Sequence, residues 1–168
     1  SIRNTLNNFK GIKRRFESKG VTNDGIKIID DYGHHPVEIT YALSSGRILA
    51  SKNKLIVIFQ PHRYSRLKDL FDEFCQCFNN ADYVFITDVY AAGESEIENF
   101  NKETLAAGIS DFGHNNVSII NNENEICDKI HSIAKTNDVV IFLGAGSITK
   151  WSETIVHKLN NSRLKNEK

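Results

Sequence analysis

The sequence predicts an α/β fold: a Rossmann-like six-stranded sheet, five strands parallel and one antiparallel, with helices on both faces. Three observations predict it. From about residue 26 to residue 160, short apolar runs alternate with longer stretches of helical period, the rhythm of βαβ units. The apolar runs are continuous and do not alternate with polar residues, as in strands covered on both sides. One stretch of mixed character, RFESK at 15–19, reaches the first run through VTNDG, whose Asp24-Gly25 pair signals a turn and so adds an antiparallel strand.

In order, residues 26–30 (IKIID) read as a buried strand. Residues 36–49 follow as a helix whose proline falls in the first turn, where a missing N–H costs nothing. Residues 54–60 (KLIVIFQ) form the next strand, and the helix at 65–79 sets Leu67, Leu70, Phe71, Phe74, Cys75 and Phe78 on one face. A strand is expected at 82–89, a helix at 102–112, a short strand at 116–120 and a helix at 123–134. The last strand, 137–143 (NDVVIFL), closes on Gly144-Ala145-Gly146-Ser147 and a final helix that fades into the polar tail NNSRLKNEK. Residues 1–12 look like the last helix of a preceding unit, because Ile2, Leu6 and Phe9 share a face.

The chain has 168 residues, 40% hydrophobic, with 21 basic and 21 acidic side chains, which suits one globular domain and gives no electrostatic reason to expect nucleic acid or an anionic membrane as partner. No apolar run approaches the 18 or so residues of a membrane span. Three cysteines, Cys75, Cys77 and Cys127, lack C-x-x-C spacing and read as small apolar residues in a reducing, cytoplasmic setting. Methionine is absent, even at position 1, so the chain is expected to be a fragment or a processed product.

In an open α/β sheet, ligands bind beyond the carboxyl ends of the parallel strands. The segments there carry the polar and titratable residues. Asp30 and Asp31 end the first strand and serve either as acceptors for ribose hydroxyls or as turn and cap aspartates. His34 and His35 follow; neighbouring imidazoles do not readily share a metal and fit hydrogen bonding or proton transfer better. After the second strand, His62, Arg63 and Arg66 open a helix, an arrangement suited to a carboxylate or phosphate. Arg14 and Arg15 by themselves read as surface charges. Gly144-Ala145-Gly146 matches half of a dinucleotide fingerprint and equally suits a tight turn, and no G-x-x-x-x-G-K-[ST] phosphate loop occurs.

Taken together, KRRFE (13–17), DDYGHHPVEI (30–39), FQPHRYSR (59–66), DVYAAGE (88–94) and LGAGSI (143–148) resemble the C-terminal domain of the Mur ligases of peptidoglycan synthesis, in the branch that joins L-alanine to UDP-N-acetylmuramate. The resemblance implies that residues 13–168 are that domain and residues 1–12 the end of the central ATPase domain and hinge. It implies a reaction using ATP and Mg2+, in which the lactoyl carboxylate is activated as an acyl phosphate and attacked by the alanine amine. It places Arg15 at the ATP phosphates and Asp31 at the ribose, with Tyr32 and Tyr90 near nucleotide or substrate. His34, His62, Arg63 and Arg66 become the group that receives the amino acid and faces the acyl phosphate, and Gly144 and Gly146 shape the last strand tip. Metal ligands and the phosphate loop are expected in the protein's own N-terminal and central domains, so the fragment alone is expected to be inactive. The rival readings are the branch that attaches a murein tripeptide to the same sugar nucleotide, and a non-catalytic nucleotide- or anion-binding module.

Overall fold

The computed structural model describes residues 13–166; the expected helix at 1–12 lies outside them. Six strands make one sheet in the order β1-β2-β6-β3-β4-β5. They are β1 (Glu17–Val21), β2 (Lys27–Asp31), β3 (Leu55–Phe59), β4 (Tyr83–Ile86), β5 (Val117–Ile119) and β6 (Val139–Leu143). β1 runs antiparallel to β2, and the other neighbours are all parallel. The helices are α1 (Pro36–Ala50), α2 (Tyr64–Asp69), α3 (Phe71–Gln76), α4 (Lys102–Asp111), α5 (Glu123–Ile133) and α6 (Ile148–Asn166).

Strand side chains alternate between faces, and each face has its own core. Ile29, Val57, Phe59, Val84, Ile86, Ile141 and Leu143 pack with residues of α1 to α4. Ile28, Ile56, Ile58, Phe85, Val140 and Phe142 pack with residues of α5 and α6. The five strand residues of β3 and of β6 are all buried, as their unbroken apolar sequence requires. The chain progresses outward from β2 through β3 and β4 to β5 with its helices on one face, then returns by α5 across the other face to insert β6 between β2 and β3. That insertion sends α6 away from β6 on the face opposite α1 and α2. A crevice opens where connections from neighbouring strands part in this way.

Several boundaries shift by one or two residues, and three differences have an identifiable local cause. β1 starts at Glu17, not 15, because Arg14 and Phe16 take positive φ (60° and 46°) and the Phe16 amide turns to the Asp31 carboxylate (2.7 Å), away from the ladder. The single helix expected at 65–79 is jogged at Leu70 (φ −120°, ψ 27°) into α2 and α3, with Phe74 and Phe78 resting on Phe59 at ring distances of 5.7 and 5.3 Å. β4 ends at Ile86, after which the chain makes one further bridge, His62 to Tyr90. The cysteines fill apolar space: Cys75 and Cys127 are buried, and burial pushes the Cys75 thiol up to about 11.

α1 lies close on the sheet at Gly46, where a Cβ would come within 2.5 Å of Ile141 Cδ1 and 2.9 Å of Leu55 Cδ1. Both neighbours are fully buried and have no room to yield. Gly46→Val should therefore lower stability by about 3 kcal/mol through overpacking, despite the poor helix propensity of glycine. Urea unfolding reads the effect, and a variant at least as stable as the parent would show that the helix can lift from the sheet without cost.

Candidate active site at the carboxyl ends of the strands

The tip of β2 carries two carboxylates that the strand alternation points to opposite faces. Asp30 is fully buried on the α6 side. Its Oδ2 accepts from Arg14 Nε (3.2 Å) and the Thr149 hydroxyl (3.1 Å), while Oδ1 has no hydrogen-bond partner in the structure. Asp31, on the α1 side, accepts from the Phe16 amide on one oxygen and the Gly33 amide on the other, each at 2.7 Å. Burial raises the Asp31 pKa above the ordinary value, and the two amides work against that rise. The two carboxylates thus hold the incoming segment 14–16 from both sides. Arg14 also donates to the Gly144 carbonyl (2.5 Å), and its guanidinium lies 4.9 Å from the centre of the Tyr32 ring. Arg15, between these anchors, is exposed. With Phe16, Asp31, Tyr32, Gly33 and Tyr41 it lines a pocket of about 330 Å³.

Beside this pocket four rings step across the strand tips. Tyr32 meets His34 edge-on at 5.1 Å, His34 meets His62 at 5.7 Å, and His62 stacks on Tyr90 at 5.4 Å with 16° between planes. His34 is set by the start of α1, where the His35 side chain and Glu38 form a reciprocal cap and Glu38 also accepts the His34 amide at 3.0 Å. His62 is set by Arg66, whose Nη1 lies 3.1 Å from His62 Nδ1 and 3.0 Å from the His62 carbonyl oxygen. Partners fix the tautomers of the uncharged rings. A guanidinium can only donate, so His62 Nδ1 accepts and its Nε2 carries the proton. The Tyr32 carbonyl can only accept, so His34 Nδ1, 3.0 Å from it, donates and Nε2 keeps the lone pair. Desolvation lowers the His62 pKa, and the charges of Arg66, His34 and Arg63 lower it further.

The third tip belongs to β6. Gly144 has φ +148°, and a Cβ there would sit 2.9 Å from the Gln60 carbonyl oxygen; one at Gly146 would sit 2.5 Å from both Gln60 Oε1 and Tyr90 Cγ. Gln60 ties this turn to β3, accepting from the Ile148 amide (3.0 Å) and donating to the Ser147 hydroxyl (3.2 Å). Only a residue without a side chain leaves room for Gln60 and Tyr90 together.

The chain as a whole matches known proteins. The family model for the Mur ligase, glutamate ligase domain, matches residues 14–146. The chain belongs to the Mur ligase family. A UDP-N-acetylmuramate–L-alanine ligase of Gluconobacter oxydans is 48% identical over 158 residues, covering 94% of this chain and 33% of that protein. Among solved structures, the UDP-N-acetylmuramate-alanine ligase of Thermotoga maritima superimposes with a TM-score of 0.71 at 26% identity, over 98% of this chain and 33% of that one. A murein peptide ligase from Psychrobacter arcticus gives a TM-score of 0.69 over 94% of this chain and 32% of that one; at 22% identity it shows a common fold alone. The chain thus spans about a third of the length of these proteins.

Within this Mur ligase domain the expected residues fall into two neighbouring groups. Arg15, Asp31 and Tyr32 share the pocket beside α1. His34, His62 and Tyr90 continue the ring series from Tyr32, with Arg66 against His62 and Gly146 close to Tyr90. Arg63 stands slightly apart, its side chain half exposed and 3.5 Å from Glu94. Arg14, taken from sequence as a surface charge, is instead the partner of a buried carboxylate. Gln60 and Glu94 were given no role from sequence. A polar residue ending an apolar run was a usable signal for Gln60; Glu94 lies in the segment DVYAAGE after a strand, but its partners Arg63 and Ser65 are about 30 positions away. Among the described residues no three His, Cys, Asp or Glu side chains are grouped to hold a metal ion.

His62 should titrate with a midpoint below 6.5, and Arg66→Gln should raise that midpoint, as followed by histidine-resolved NMR. The sign for stability follows: with the folded value depressed, the contribution of His62 is complete above 6.5 and is lost as pH falls through the folded value. A His62 midpoint above 6.5 would contradict the cluster as described.

Proposed function

We propose that residues 13–168 form the C-terminal domain of an ATP-dependent ligase joining L-alanine to UDP-N-acetylmuramate, with residues 1–12 ending the domain before it. The observation that carries the reading is the convergence of His34, His62 and Arg66 at two strand tips, next to a pocket that offers Asp31 and Arg15. The 48% identity to a relative named for that activity supports it. Such a ligase works in the cytoplasm, where ATP is available; among the described residues no helix is long and apolar enough to cross a membrane.

The pocket beside α1 fits a nucleotide. Each oxygen of Asp31 has one amide donor and keeps a lone pair for a ribose hydroxyl, and Arg15 is exposed at the pocket for phosphate. ATP, when bound, supplies the phosphoryl group that activates the sugar nucleotide's carboxylate. Mg2+, by the family resemblance, would be held mainly by the protein's other domains. Arg63 and Arg66 receive the alanine carboxylate, a task for which planar guanidinium forks are suited. His62 offers Nε2–H to oxygen atoms at the reacting centre, and remaining uncharged prevents it from competing with the arginines for the carboxylate. His34 offers a basic Nε2 to the incoming amine. Positioning and charge neutralisation account for the work of these residues.

The test is phosphate release by the full-length gene product with ATP, Mg2+ and UDP-N-acetylmuramate, in the presence of either L-alanine or the murein tripeptide. Release with alanine is expected; release with the tripeptide alone would move the chain to the recycling branch. In the same assay Arg63→Ala should raise the alanine KM by roughly 10- to 100-fold, the loss of a charged hydrogen-bond partner, and change the ATP KM less than about twofold. An unchanged alanine KM would remove Arg63 from the amino-acid site.

A further inference from the structure

The two arginines assigned to the amino-acid carboxylate are held in different ways. Arg66 is fixed by its neighbour one turn back, through the His62 ring and carbonyl. Arg63 has no such support on its own helix. Its backbone is pinned, with φ +70° and its amide donating to the Tyr90 carbonyl at 2.8 Å, but α2 has no side-chain cap there and the Arg63 side chain is 47% exposed.

Among the described residues its ion-pair partner is Glu94, from the loop after β4. One Glu94 oxygen accepts from the Ser65 amide (2.9 Å); the other accepts from the Ser65 hydroxyl (2.6 Å) and lies 3.5 Å from Arg63 Nη1. Those hydrogen bonds, the Ser65 hydroxyl first, hold the Glu94 carboxyl below the usual range, so it is charged at neutral pH. An ion pair this exposed is screened by water and adds little to stability. What it can do is restrict a long side chain to one direction. With Nη1 turned to Glu94, the Nε–Nη2 edge is left for a second carboxylate in the bidentate geometry that arginine favours.

We propose that Glu94 is a positioning residue of the amino-acid site: by holding Arg63 through its Nη1 edge and Ser65 through both its donors, it presents Arg63 beside Arg66 as a preformed receptor for the substrate carboxylate. The inference rests on the placement of the amino acid under Proposed function. Glu94 touches no substrate; it acts through Arg63. Two guanidinium groups against one carboxylate leave the receptor net positive.

The test is steady-state kinetics of the full-length protein carrying Glu94→Gln, with Ser65→Ala as a second variant that removes one of the hydrogen bonds orienting Glu94 but keeps its charge. Glu94→Gln keeps the shape but loses the charge. It should raise the alanine KM about tenfold, leave kcat at saturating alanine within about twofold, and leave the KM values for ATP and the sugar nucleotide unchanged, while Ser65→Ala shows the same pattern with a smaller rise in the alanine KM. A Glu94→Gln protein with an unaltered alanine KM would overturn the proposal. So would one in which all three KM values and kcat deteriorate together, as loosening of the domain would produce. If the parent protein turns over murein tripeptide and not alanine, the substrate reading falls while Glu94 is judged by the same split on the tripeptide KM. A parent protein silent with both amines overturns the substrate reading and the role of Glu94 with it.

Discussion

Because β6 enters the sheet between β2 and β3 and sends α6 to the face opposite α1 and α2, three strand tips meet where the described helices part to opposite faces. Such a gap would expose backbone groups to competing water unless the tips were fastened to one another. The fastening is polar and runs across the gap. Gln60 joins β3 to the first residues of α6, Arg14 joins the incoming segment to the Gly144 carbonyl, and the adjacent carboxylates of β2 grip that segment from opposite faces. The crevice is therefore rigid at its base while its upper side chains remain available.

A division of labour follows. Asp30, Arg14, Gln60 and Thr149 have their polar atoms turned inward and are spent on architecture, and the half-satisfied Asp30 marks the tightest point. Arg15, Tyr32, Arg63 and Tyr90 stand exposed next to them. Adjacent residues in sequence thus take different roles: Asp30 and Asp31 face opposite ways because they end an extended strand, whereas Arg14 and Arg15 part within a turn in which Arg14 has φ 60°. The alternation in β2 places the pocket shared by Arg15, Asp31 and Tyr32 on the α1 side and the Arg14–Asp30 ion pair on the other.

Most of the architecture was legible in the sequence because it rests on periodicity. Continuous apolar runs announced the parallel strands, and Asp24-Gly25 announced the hairpin to β1. The β1 start was misplaced because positive φ at Arg14 and Phe16, neither of them glycine, leaves no trace in composition. The jog at Leu70 was invisible for a similar reason, since no proline or glycine interrupts residues 65–79. For the site, clustering after strands was enough to single out His34, His62, Arg63 and Arg66. What sequence could not show was which member of each charged pair is consumed by the fold. Arg14 and Asp30 are 16 positions apart, and Arg63 and Glu94 are 31 apart; only the strand order brings them together.

The central claim is that one crevice holds the amino acid at the β3 tip and the nucleotide at the β2 tip. A crystal structure of the full-length protein with a non-hydrolysable ATP analogue and the alanyl product tests it directly. The account predicts the product's alanyl carboxylate within hydrogen-bond distance of the Arg63 and Arg66 guanidiniums, and the ribose hydroxyls at Asp31. An alanyl carboxylate bound away from both arginines, with the ribose on the α6 side of β2, would contradict it.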